Sequence, residues 1–112
     1  MVVQTELSDA VVDRIFHALA DATRRDILNR TLVGDTSVSR LADAYAMSFA
    51  AVQKHVAVLE GAGLVTKETR GRERLVRADP TTIARAQGLL DAYAAVWRSR
   101  VDRLDALLTE GE

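Results

Sequence analysis

The apolar residues of this 112-residue chain change spacing several times, and each change marks an element. Val11, Val12, Ile15, Phe16 and Leu19 form a wide helical stripe that opens at Ser8-Asp9-Ala10. Asp21 suits the cap of a second helix, from Ala22 to about Leu32, with Gly34 as its stop. Ser37 to Ala44 reads as a short third helix capped by Thr36 or Ser37, and Tyr45-Ala46-Met47 reads as a turn into Ser48. A fourth helix starts at Ser48, where Val52, Val56 and Leu59 recur at i, i+4 and i+7. Gly63 ends it, because glycine accepts the left-handed conformation that follows a helix. The period then drops to two: residues 64–69 and 73–77 read as short strands around Gly71.

Asp79-Pro80-Thr81 opens the last helix, where proline fits the first turn. Ile83, Ala86, Leu90, Tyr93, Trp97, Val101, Leu104 and Leu108 follow one another at three or four residues, a heptad-like seam with a stutter at Trp97. A helix of about 28 residues within 80–109 runs roughly 42 Å, longer than a small core needs. Part of its stripe is therefore expected to meet a second copy of the chain, alongside the first helix over 8–19. Val12, Phe16, Leu90, Tyr93, Trp97, Val101, Leu104 and Leu108 are the expected dimer contacts. The alternative is a monomer that folds this helix back over its own core. Tyr93 and Trp97 also allow a small-molecule pocket at the seam, although aromatic residues one turn apart on a long helix usually serve packing.

The predicted fold is mainly α with a small β-hairpin, in the order α-α-α-α-β-β-α, over a single domain of residues 1–112. Two short helices joined by so few residues, over 36–60, make a helix-turn-helix, and 64–78 make a wing. Ala46 stands where such turns often carry glycine or asparagine. A positive φ there would cost about 1 kcal/mol, so a differently shaped turn is expected.

The fourth helix has a second face. Ala50, Lys54 and Ala57 lie roughly opposite its apolar stripe, with Gln53 beside them. Small alanines, Ala50 and Ala51, let a helix backbone approach a surface closely. Gln53 can pair with an adenine edge, Lys54 can reach a guanine edge or a phosphate, and Ser48, at the leading end, is expected to read bases with them. Arg70, Arg72 and Arg74 surround the hairpin turn, with Arg72 and Arg74 on one face if both are extended. Beside a reading helix, such cations suit phosphate contacts, as do Ser37, Ser39 and Arg40 on the preceding helix. Read alone, the helix is equally an ordinary amphipathic one and the hairpin a solvated one.

Taken together, Ala18 to Leu28, Leu41-Ala42 through Met47-Ser48, Ala51 to Val56 and Leu59 to Val65 resemble the ArsR/SmtB-type winged helix-turn-helix repressors. The likeness covers about residues 11–108. It implies a homodimer whose recognition helices enter successive major grooves of double-stranded DNA, at an imperfect inverted repeat. Metal-sensing relatives carry Cys-Val-Cys before the turn, where this chain has Ser37-Val38-Ser39, and serine hydroxyls are poor ligands for thiophilic metals. The other familiar metal site needs a histidine on the last helix, and none follows His55. The resemblance is therefore to the metal-independent branch, with no metal site and no cofactor expected. Gln53 replaces a serine common in that recognition helix, which implies a different operator.

Charge adjusts the picture. A net charge of −1 does not by itself announce a nucleic-acid binder. Residues 48–78, however, hold six basic and three acidic side chains, between two flanks that are each −2. The lack of cysteine excludes disulfides and thiolate chemistry. No long apolar run or signal peptide is present, so a cytoplasmic, nucleoid-associated protein without a membrane role is expected. No catalytic constellation is recognisable. His55, at the edge of the buried stripe, is expected to be packed or to donate to a phosphate; His17 is expected to be structural. Arg24 and Arg25 oppose the dipole of their own helix unless paired, and Arg25 with Asp21 is the expected pair. Two other readings stay open. One is a winged-helix module that binds a protein instead of DNA. The other is a metal sensor with oxygen or histidine ligands shared across a dimer. The sequence names no small-molecule effector.

Overall fold

The structure, a computed structural model, describes residues 8–111. Five helices and three strands follow in order: α1 (Asp9–Leu19), α2 (Ala22–Val33), β1 (Thr36–Ser37), α3 (Val38–Asp43), α4 (Phe49–Gly61), β2 (Val65–Arg70), β3 (Glu73–Ala78) and α5 (Pro80–Glu110).

Every helix starts on a side chain that satisfies an orphan amide. Ser8 accepts from Val11 at 3.3 Å, Asp21 from Arg24 at 3.0 Å, Ser37 from Arg40 at 3.1 Å, Ser48 from Ala51 at 3.1 Å and Asp79 from Thr81 at 3.0 Å. Each cap is worth about 1 kcal/mol, so the boundaries follow from short-range chemistry. At its other end α4 closes with paired bonds: the Leu64 amide donates to Leu59 O at 3.0 Å and the Gly63 amide to Glu60 O at 2.9 Å. This closure needs Gly63 at φ +77°, and a Cβ there would also crowd the Thr82 hydroxyl at 3.2 Å. The turn between α3 and α4 is built differently, since no non-glycine residue among those described has a positive φ, Ala46 included.

The sheet has one strand more than the pattern shows. β1 pairs antiparallel with β3, Thr36 opposite Val76 and Ser37 opposite Leu75, giving the order β1-β3-β2. Two residues are too few to display alternation, so no period betrays β1. The hairpin itself pairs Val65 with Ala78 through Arg70 with Glu73, which leaves Gly71 (φ +63°) and Arg72 as its two-residue turn.

Ile15, Ile27, Leu41, Val52, Val56, Leu59, Leu64, Val65 and Val76 form the fully buried centre, drawn from α1 to α4 and the sheet. α3 packs on α4 and β3, and α4 also packs on α2, α1 and β2, so helix-turn-helix and wing share one core. α5 joins this core only at its start, through buried Ala86 and partly buried Ile83. Its 31 residues run roughly 46 Å and account for much of the 70 Å length of the molecule. The helix does not fold back over its own domain.

Candidate nucleic-acid interface

α4 separates its two faces as its sequence demands. Val52, Val56 and Leu59 are 0% exposed, whereas Ala50, Gln53, Lys54 and Ala57 are all exposed. Ser48 is exposed at the leading end, its Oγ engaged as the cap acceptor and its own proton still free to donate. Ser39 and Arg40 on α3 are also exposed.

Two expectations need correcting, and for His55 the packed alternative is the one observed. Ser37 is only 4% exposed, because its backbone lies in β1 and its Oγ caps α3, so it has no surface to offer a phosphate. Ala51 is half-buried and shares a flank of α4 with His55 and Val58, not the outward face. His55 turns toward α2: its Nδ1 accepts from Arg24 Nη1 at 3.3 Å and stands 3.9 Å from Asp21 Oδ2. In the neutral ring this acceptance places the proton on Nε2.

Arg24 and Arg25 are the residues whose role was least legible. Arg25 does not pair with Asp21; its Nη1 donates to Leu19 O at 2.7 Å. Arg24 donates through Nε to Ala18 O at 2.8 Å and through Nη2 to His17 O at 3.0 Å. Both cations thus sit at the negative, C-terminal end of α1, which reverses the dipole conflict expected on α2. Arg24 thereby joins the C-terminus of α1 to the recognition helix in one guanidinium. The Asp21 carboxyl below it is held under its ordinary value, first by the Arg24 amide and then, against some desolvation, by the charges of Arg24 and His55. A second network ties α2 to the turn. Arg30 Nε donates to Asp26 at 2.8 Å, the Tyr45 hydroxyl donates to the same carboxylate, and the Arg30 guanidinium lies 5.5 Å from the Tyr45 ring centre. Burial, then Asp26, pushes the Tyr45 hydroxyl up to about 12. Only the tyrosine hydroxyl, in a turn whose other residues are Ala46 and Met47, hinted at this contact.

On the wing the three arginines part company. Arg72 lies in the turn, so it does not share an extended face with Arg74. Arg74 pairs across from Thr69, in line with buried Val76, and Arg70 lies on the other face, 3.5 Å from Glu68. Glu68 also faces Arg77 at 3.7 Å, and Arg77 bonds Asp35 at 2.7 Å. Among the described residues, neither Arg72, Arg74, Arg40 nor Lys54 enters an ion pair. Within the helix-turn-helix and wing, these are the cations left for an anionic partner. Lys67, 3.4 Å from Glu60, instead holds the wing to the end of α4.

The seam residues are exposed. Along α5, Leu90, Tyr93, Trp97, Val101, Leu104 and Leu108 show 37–73% of their surface, joined by Val96 and Leu107, and Phe16 on α1 is also open. Val12 is half-buried. The Arg100 guanidinium stacks 5.5 Å from the Trp97 ring centre. Among the described residues no group of three or more histidine, aspartate or glutamate side chains gathers to hold a metal, and no helix is long and apolar enough to cross a membrane.

A helix-turn-helix with a polar outer face and a wing beside it defines a class, the winged helix-turn-helix transcriptional regulators. Comparison with known proteins agrees. The chain is 40% identical over 81 residues to the HTH-type transcriptional regulator Rv2034 of Mycobacterium tuberculosis, covering 72% of this chain and 76% of that one. A crystal structure of an ArsR family transcriptional regulator is 30% identical, with a TM-score of 0.79 over 84% of this chain and 97% of the other. The homodimeric winged helix-turn-helix DNA-binding domain Mb0332 of Mycobacterium bovis, a possible ArsR-family regulator, is 27% identical, with a TM-score of 0.63 over 85% and 91%. No family model matches the chain. By these likenesses the chain belongs to the ArsR family of winged helix-turn-helix transcriptional regulators.

Proposed function

We propose that this regulator is a homodimeric repressor that reads an imperfect inverted repeat in double-stranded DNA, at the promoter of its own or a neighbouring gene. The reading treats the chain as one winged helix-turn-helix domain acting on nucleoid DNA in the cytoplasm, without metal or catalysis. The observation that carries it is the outward face of α4, where Gln53 and Lys54 stand exposed between alanines while every contact with the core is made from the other side. Gln53, Lys54 and Ser48 address base edges, Ala50 allows close approach, and Arg40, Ser39, Arg72 and Arg74 meet phosphates, with Arg70 partly occupied by Glu68. A dimer through α1 and α5 is supported by the uncovered stripe on α5 and by the homodimeric Mycobacterium bovis relative. Two recognition helices would then meet half-sites about 34 Å apart.

Binding sequences selected from a random duplex pool provide the test. Gln53→Ala should change which bases are preferred, at about 1–3 kcal/mol per lost base contact. Arg72→Ala should weaken all sequences alike and lower the salt dependence by about one counterion. An unaltered base ranking for Gln53→Ala contradicts the readout assignment, and a failure to enrich any sequence contradicts DNA reading itself.

A further inference from the structure

Phe49 is the first residue of α4, and 47% of its surface is exposed. That is anomalous on a helix whose Val52, Val56 and Leu59 are fully buried. Gln53 follows one turn later and about 40° round the axis, so the phenyl ring lies between the buried stripe and the reading face. It stands in the leading turn, with nearly half of its surface open. Its chain neighbours, Ser48 and Ala50, are both exposed and too small to cover a ring. In helix-turn-helix readers the N-terminal residues of the recognition helix are the ones that reach base edges. A phenyl ring can neither donate nor accept there. The apolar feature in the major groove is the C5-methyl group of thymine, and phenylalanine is among the side chains that suit it. A protein-binding hot spot fits the surroundings less well, because Lys54, Arg40, Arg72 and Arg74 of the same helix-turn-helix and wing lack carboxylate partners among the described residues.

We infer that Phe49 is a specificity-determining residue that packs on the methyl group of one thymine in each half-site, a refinement that rests on the DNA-reading function proposed above. Together with Gln53 it would make the helix select an apolar and an adenine-like edge side by side.

The experiment uses the full chain and duplexes enriched from a random pool. Sequences bound by the wild type should contain a thymine column that flattens for Phe49→Ala, while the column dependent on Gln53 persists. In one enriched duplex, each thymine is then replaced in turn by deoxyuridine, which removes only the methyl group. At one position per half-site the wild type should lose on the order of fourfold in affinity, the worth of one buried methyl. Phe49→Ala should bind the thymine and uracil duplexes equally, and Phe49→Leu should keep part of the preference. Because nearly half of its surface is open, thermal melting of these variants should stay close to that of the wild type. The inference is overturned if no deoxyuridine substitution weakens the wild type, or if Phe49→Ala retains the full thymine preference. If the wild type enriches no sequence at all, the DNA-reading function falls first and this assignment with it.

Discussion

α4 and α5 both carry apolar stripes at helical spacing, yet one is sealed and the other is bare. On α4, Val52, Val56 and Leu59 have no exposed surface. On α5, everything after Ala86 is open to some degree, with Trp97 60% and Leu108 73% exposed. The difference is one of available neighbours. α4 is thirteen residues long and is surrounded by α1, α2, α3 and β2, so its stripe closes the domain's own core. α5 outruns that core after two turns, and a small domain has nothing else to lay against it. A row of Leu, Val, Tyr and Trp of this extent is unusual on an isolated chain and marks an association surface. Identical sequence logic therefore serves two purposes: stability of one chain in α4, and, on the function proposed above, assembly of two in α5.

The contrast can be broken most sharply on α5. Replacing both Val101 and Leu104 with aspartate should weaken dimerisation on the order of 100-fold or more, given about 1.5–3 kcal/mol for each apolar side chain withdrawn. Sedimentation velocity would read this as a concentration-dependent monomer, with far-ultraviolet circular dichroism retained. Loss of the fold instead would place α5 in the domain's own core. The matching change on α4, Leu59→Ala, should destabilise the domain itself by about 2–5 kcal/mol in urea unfolding. A cost near zero would deny that its stripe is the structural one.

A smaller effect sharpens the same division, since it concerns only the side of the molecule that holds α4 in place. Tyr45 stays neutral in the fold, with its pKa raised from 10.0 to about 12. The associated stability is complete below pH 10.0 and disappears as pH climbs toward 12. Asp26 acts in the opposite sense. Hydrogen bonds from Arg30 and Tyr45 lower its pKa, so its contribution is present above 3.8 and is lost as pH falls beneath that value. Tyr45→Phe should therefore remove the alkaline loss of stability, measured by urea midpoints between pH 10 and 12, while the dimer seam is unaffected. An alkaline profile identical to the wild type would show that the Tyr45 hydroxyl is not engaged.

How much of this was legible before the structure follows from range. Caps at Ser8, Asp21, Ser48 and Asp79, the glycines at 63 and 71, and the stripes of α1, α4 and α5 are written in residues a few positions apart, and each stands where its spacing put it. The outward placement of Gln53 and Lys54 follows from the same periodicity. What escaped involves distant partners or very short elements. β1 is two residues long and exists only because β3 lies forty positions away. Its formation buries Ser37, which the local pattern had offered to a phosphate. Arg24 finds carbonyls of the preceding helix and an imidazole thirty-one residues on, neither of which a dipole argument on its own helix reveals. Phe49 passed unnoticed for a different reason: an apolar residue at a helix start looks like core until its exposure is known.

The account turns on whether a second copy of the chain covers α5, since only then are two α4 faces offered to one duplex. Sedimentation equilibrium of the wild-type chain at micromolar concentration measures this directly. A mass twice that of the chain, falling to a single chain for the paired aspartate variant, is the predicted result. A wild type that stays monomeric with α5 fully helical would contradict it.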